Sequence, residues 1–407
     1  MGVLSLNRPG SFLARLALAG ASIAIAAAAC SLAVDLDGLS GGPADAGPPD
    51  GQASCSHAVP PTRPGGSASG GSTTLTVAVR MVDLGETSTK EDPVGLDLDR
   101  TCSCITEGDS CRSEYSKDNH CDDLNGVDNA GAKLFKSLLA IGTEGAGSVF
   151  CSQMAEQGEW GLVLVLSDYN GEANDELVTV SVYPSPGTNT GSGMISGSGG
   201  AGGAGGAGGS GGIGGNMGAL FGEVPGWNGQ DAWPVVSTAL KDGVSIDQPL
   251  YSDMNAYVAN NVLVAEFPEL RFRFSGPNSN LSVNVKSTTV MGLLETVPDG
   301  LGVRVTKGVM AGYWRIEDVF GGIASLVANG NSLCNDGGLL YTQTKSVLCD
   351  FIDIALNPPA GEEILCNALS FGMGFETFPA KLGGVVPPEP EPNPCAEGQS
   401  PADDVCE

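Results

Sequence analysis

Leu75-Thr76-Val77-Ala78-Val79-Arg80-Met81 alternates large apolar residues with smaller or polar ones, and this period of two decides the fold class. Successive side chains of a strand point to opposite faces, so Leu75, Val77, Val79 and Met81 line one buried face. Residues 160–166 and 177–183 repeat the signature, and Asp168-Tyr169-Asn170-Gly171 between them supplies the turn of a hairpin. Residues 262–265, 270–274, 281–285 and 303–309 continue it, with Pro298-Asp299-Gly300 as a turn.

Helical spacing is rarer. Ile316, Val319, Phe320, Ile323, Leu326 and Val327 share one helix face, with Glu317 and Asp318 at the favourable amino end and Asn329-Gly330 as a stop. A second helix is expected from Asp128 through Ala130, Leu134, Leu138 and Leu139, and a third from Ser346 through Leu348 and Phe351 to Ala355. No regular strand-helix-strand alternation appears. The expected class is therefore α+β: a mainly antiparallel, sandwich-like sheet with a few packed helices.

Composition divides the chain. Residues 30–72 are rich in Gly, Pro, Ala, Ser and Asp and hold little that could form a core, so they read as a flexible tether. About 40 such residues reach ~35 Å. A Gly-rich stretch at 187–218 interrupts what reads as one folded domain, 73–382, as a long loop. Residues 383–407 form a Pro/Glu-rich tail whose segment 387–394 is expected to be a stiff spacer.

Residues 1–29 carry Arg8 and Arg15 and then an apolar run too short to stay in a bilayer, the pattern of a signal peptide. Ala27-Ala28-Ala29-Cys30 resembles a bacterial lipobox, in which the cysteine is diacylated and becomes the new amino terminus. Cys30 is thus the expected lipid-attachment residue and the membrane the expected partner. Ser31, where an inner-membrane retention signal would place Asp, points to the outer membrane. Ala27-Ala28-Ala29 also suits an ordinary secretory peptidase, which would give secretion without lipid.

Twelve cysteines behind a leader point to disulfides formed in an oxidising compartment. Removing an acylated Cys30 leaves an odd number, so one thiol is expected to stay unpaired or to bridge elsewhere; an even count would return if Cys30 were not acylated. The formal charge of −28, from 47 acidic against 19 basic residues, argues against nucleic-acid binding and favours cations or basic partners.

His120-Cys121-Asp122-Asp123-Leu124-Asn125-Gly126-Val127-Asp128-Asn129 is the best chemical candidate. Asp122, Asp123, Asn125 and Asp128 around Gly126 could present oxygens to calcium at about 2.3 to 2.6 Å, and Asp97 and Asp99 could complete the set if a bridge brings the segments together. It is not an EF-hand loop, which needs Glu six residues past the glycine where this chain has Lys133 and Leu134 nearby. The competing structural reading has Asp128 capping the next helix and Asn125-Gly126 forming a turn. Cys102, Cys104, Cys111, His120 and Cys121 lack the paired spacing of structural zinc sites. With His57 assigned to the tether, His120 is the one imidazole expected in the folded part.

Gly208-Gly209-Ser210-Gly211-Gly212 matches a nucleophile-elbow pattern only because the segment is nearly all glycine, without flanking strand and helix. A carboxylate-dependent hydrolase would need two acids about 5 to 10 Å apart in a deep pocket. Trp227, Asn228, Asp231 and Trp233 combine aromatic faces with planar hydrogen-bonding groups and are candidate carbohydrate ligands, although tryptophans more often anchor a core.

The acidic run with Val127-Asp128-Asn129, the 227–233 segment, Leu333-Cys334, Val347-Leu348-Cys349-Asp350 and Cys366-Asn367-Ala368-Leu369-Ser370 together resemble an uncharacterised family of predicted Gram-negative lipoproteins. The resemblance implies localisation and a single folded unit, and supplies no mechanism. Three functional readings follow. The first is a non-enzymatic cell-envelope lipoprotein; the second is a calcium-dependent carbohydrate-binding or adhesive module; the third is a secreted carboxylate hydrolase.

Overall fold

The computed structural model describes residues 55–66, 70–105, 107–116, 120–188, 224–276, 279–358, 363–390 and 394–407. The leader, Cys30 and the Gly-rich stretch fall largely or wholly outside these residues. In chain order the elements are β1 (Thr73–Asp83), α1 (Ala130–Ala140), α2 (Ser148–Glu156), β2 (Gly161–Tyr169), β3 (Asp175–Ser185) and β4 (Ala232–Val236). There follow β5 (Tyr251–Ala259), β6 (Val262–Gly276), β7 (Ser279–Thr296), β8 (Val303–Arg315), α3 (Ile316–Ile323), β9 (Val327–Ala328) and β10 (Asn331–Ser332). The chain ends with α4 (Leu339–Asp350), β11 (Ala368–Pro379) and β12 (Lys381–Val386).

The strands are mainly antiparallel and the class is as expected, but the sheet closes on itself where a sandwich-like arrangement was anticipated. β1, β2, β3, β5, β6, β7, β8 and β11 form a closed barrel in which each strand pairs antiparallel with the next barrel strand along the chain, and β11 returns to β1. Closure removes the exposed edges that a two-sheet sandwich keeps. β3 and β5, which flank the Gly-rich stretch, pair directly, so both flanks belong to one barrel.

Alternation fills the barrel. Leu263 and Ala265 enter the main core, while Val262 and Val264 join Met291, Val309 and Ala311 in a second cluster, covered by Leu96, Leu98 and Tyr257. Outward positions of β6 include the charged Glu266, Arg271 and Arg273. No described helix is long and apolar enough to cross a membrane. A cavity of about 10 Å³ lies among Leu75, Leu164, Val180, Leu263 and Val305, room for a single water.

The helices clad this barrel. α2 lies against β1, where Glu156 meets Arg80 at 3.0 Å and the Ser152 hydroxyl accepts the Val82 N–H at 3.0 Å. Phe135 of α1 packs on Trp314 and Phe371, ring centroids 6.3 and 6.5 Å away, and all three are fully buried. Burying such aromatics contributes roughly 1.5–3 kcal/mol each.

Four expectations are corrected. The helix beginning at Ile316 stops at Ile323, because Asn329 and Gly330, both at positive φ, turn β9 back onto β10 and take Val327 into a hairpin. The third helix lies earlier than its spacing suggested, at Leu339–Asp350. Residues 55–66 of the supposed tether are fastened to the body: Cys55 is bridged to Cys102, Ala58 exchanges hydrogen bonds with Asn125 and Asp97, and Arg63 stacks 4.6 Å from the Tyr257 ring. A disulfide and backbone hydrogen bonds hold this strap, which its composition does not advertise.

The tail is likewise stapled. β12 pairs in parallel with β4, Cys395 is bridged to Cys334, Cys406 to Cys349, and Asp404 meets Lys345 at 2.8 Å. Cys104–Cys121 and Cys111–Cys366 complete five disulfides, leaving Cys151 free in the core.

Candidate functional site

The segment 96–101 and the loop leading into α1 meet outside β8. Asp128 donates its N–H to the Leu96 carbonyl at 3.0 Å and accepts the Leu98 N–H on Oδ2 at 2.8 Å. Tyr313 of β8 donates to the Leu98 carbonyl at 3.1 Å. This clamp occupies Asp128, so Asn129 caps α1 instead, its Oδ1 accepting the Ala132 N–H at 3.1 Å. The Asn129 amide also donates to the Val94 and Gly372 carbonyls at 2.7 and 3.1 Å, tying three segments to one side chain.

One carboxylate oxygen from each of Asp97, Asp99 and Asp128 falls within 4.8 Å of the other two. Asp122 joins the edge of the group: its Oδ2 accepts the Ser103 N–H at 2.6 Å, and its carboxyl lies close enough to Asp128 for the two to influence each other. Asp353, just past the end of α4, lies close enough to press on both while its carboxylate accepts the Ser370 N–H and hydroxyl at 2.8 and 2.6 Å. Asp99 Oδ1 accepts the Thr101 N–H at 2.8 Å.

Of the four residues expected to ligate, Asp122 and Asp128 therefore enter this cluster. Asp123 and Asn125 do not. Asp123 faces Lys133 and Lys90, and Asn125, at φ 61°, accepts the Ser56 hydroxyl on Oδ1 at 2.7 Å. Asp97 and Asp99 take their places. Sequence reasoning missed His57, whose Nδ1 pairs with Asp97 Oδ2, because the strap carrying it read as tether. It also missed Asp353, which has no local motif.

The electrostatics are those of crowded acids. Burial pushes Asp122 up to about 7, with the Ser103 N–H opposing and Asp99 adding to the rise. Burial also holds Asp128 well above the usual carboxylate range, reinforced by Asp99, Asp122 and Asp353. Asp97 is raised by burial against the opposing pull of His57 and the Arg100 N–H. Among the described residues, His57 is the sole ion-pair partner of the Asp97, Asp99, Asp122 and Asp128 group. Such a set is neutralised by shared protons or by a hard cation.

The tryptophan segment is built differently. Trp233 is completely buried, with its ring against Gly161, so it has no face for a sugar. Trp227 leans on it at 5.4 Å, donates Nε1–H to the Glu156 carbonyl at 3.2 Å and has Arg80 5.5 Å from its ring centroid. Asn228 and Asp231 accept the Gln230 and Gly226 N–H groups and shape the turn. The segment anchors β4 rather than forming a stacking platform.

The hydrolase reading asks for an open pocket with two acids. The barrel cavity is lined by apolar side chains and Arg304, without a carboxylate. Cys30, the expected lipid-attachment residue, lies outside the described residues. No family model, curated protein or solved structure matches the chain.

Proposed function

We propose that this chain is an exported, non-enzymatic lipoprotein of a bacterial envelope: an acidic, disulfide-stapled barrel moored through an acylated Cys30 and presented to an envelope partner. The cysteine arrangement carries the reading. Every cysteine after Cys30 is either bridged or, in Cys151, sealed in the core, so the folded body offers Cys30 no thiol to pair with. An odd count after the leader is thus compatible with acylation. Five bridges in one body also support an oxidising compartment. Ser31 favours the outer membrane.

Labelling cells that express the full chain with a clickable palmitate tests this. Wild type is expected to incorporate label and to sediment with membranes. Cys30→Ala is expected to lose both properties. Unlabelled wild-type protein recovered in the soluble fraction would overturn the reading.

A further inference from the structure

We propose that Asp97, Asp99 and Asp128 bind a calcium ion. Oxygens around calcium sit at about 2.3 to 2.6 Å from the ion and so up to about 5 Å from one another. The three carboxylate oxygens, mutually within 4.8 Å, match that span.

A second observation distinguishes this group from acids that merely crowd together. Asp97 is 3% exposed, its Oδ2 is engaged by His57, and its Oδ1 is buried with no hydrogen-bond partner. Leaving a buried carboxylate oxygen unpaired is costly. A cation held at Oδ1 would satisfy it.

The surroundings position the other ligands. Leu98 and Thr101 N–H groups hold Asp128 Oδ2 and Asp99 Oδ1, fixing both carboxylates on a backbone frame. Asp122, its Oδ2 held by the Ser103 N–H, stands at the rim of the group. Gly126 stands so near that a Cβ there would lie 2.8 Å from Asp97 Oδ2.

The donor set selects the ion. All three ligands are carboxylate oxygens, the choice of hard cations, and three acids from an irregular loop suit calcium better than the strict octahedron of magnesium. The neighbouring Cys55, His57 and Cys102 group cannot serve as a zinc site, since both sulfurs are consumed in one bridge. Bound calcium would lock the 96–101 segment to the entry of α1 and, through His57, to the strap.

The test uses bridge-intact protein stripped with chelator. Terbium is added first, because Tyr313, which bonds to Leu98 beside the site, can sensitise its luminescence. Calcium is expected to quench that signal by displacement and to raise the melting temperature by several degrees, with magnesium less effective. Asp99→Asn is expected to weaken calcium binding by roughly tenfold or more in a calorimetric titration, as loss of a charged ligand should. Asp99 is partly exposed, so this variant remains usable if Asp97→Asn or Asp128→Asn fails to fold. Equal melting temperatures in calcium and in chelator, or Asp99→Asn binding calcium as tightly as wild type, would overturn the proposal.

Discussion

Gly126 and Asp97 approach so closely that a Cβ on the glycine would stand 2.8 Å from Asp97 Oδ2 and 3.0 Å from Cys102 Sγ. Gly126 also sits at φ 73°, where a side chain is strained. Gly126→Ala is therefore expected to lower unfolding free energy by about 2 kcal/mol in urea titrations. A neutral result would mean that the loop relaxes freely around the acids.

Asn129 makes four hydrogen bonds from one side chain. Its oxygen accepts the Ala132 and Gly372 N–H groups and its nitrogen donates to Val94 and Gly372 carbonyls. Asn129→Ala loses the helix cap and leaves buried carbonyls unpaired, an expected cost of about 3 kcal/mol. Asn129→Asp keeps the acceptor but sets a carboxylate oxygen against the Val94 and Gly372 carbonyls, so it should cost at least as much, as read by chemical denaturation. A cost for alanine no larger than that of a surface substitution would contradict this pinning role.

Cys151 is fully buried, and burial raises its thiol far above the ordinary range. Native protein without reductant should leave this thiol unreacted with a maleimide, and unfolding should expose it. Rapid labelling of Cys151 in the native state would contradict the packing of α2 on β1.

Trp233 against Gly161 is a core contact, with the glycine's missing Cβ 2.5 Å from the ring. Trp233→Ala should cost about 3 to 5 kcal/mol, in the range of other buried aromatic truncations. Gly161→Ala should also destabilise, whereas an open sugar platform would tolerate it; paired thermal melts decide.

Burial alone would raise the Asp404 carboxyl, but Lys345, the Val405 N–H and Tyr341 together hold it below its ordinary value. A lowered folded pKa contributes stability that is present above the unfolded value and lost as pH falls through the folded one. Asp404→Asn should therefore be less stable than wild type at about pH 6, by at most about 1 kcal/mol, and the two should converge towards about pH 3. Urea midpoints at the two pH values give the comparison, and a gap that widens with acid would contradict it.

The strands at 75–81 and 303–309 were legible as strands, but bulges break their alternation: Ala78 and Val82 are buried where Met81 was expected, and Val305 faces the main core while Val309 faces the second cluster. β11 was not: Gly372 and Gly374 break its period, and both of its faces are largely buried. α2 was hidden because its amino end is capped by Glu86, which accepts the Ser148 N–H at 2.7 Å from 62 residues away. The acid cluster was largely legible, since Asp122 and Asp128 share one motif and Asp97 and Asp99 were expected to complete it, while Asp353 and His57 arrive from distant segments. Local sequence carries no trace of such long-range placement.

Intact mass, with and without reduction, of protein extracted from its native membrane tests the central claim most directly. The account predicts a chain that starts at Cys30, carries the added mass of fatty acyl groups, and is lighter before reduction by the two hydrogens of each of its five bridges. A chain that retains residues 1–29, carries no acyl mass and does not change on reduction would contradict it.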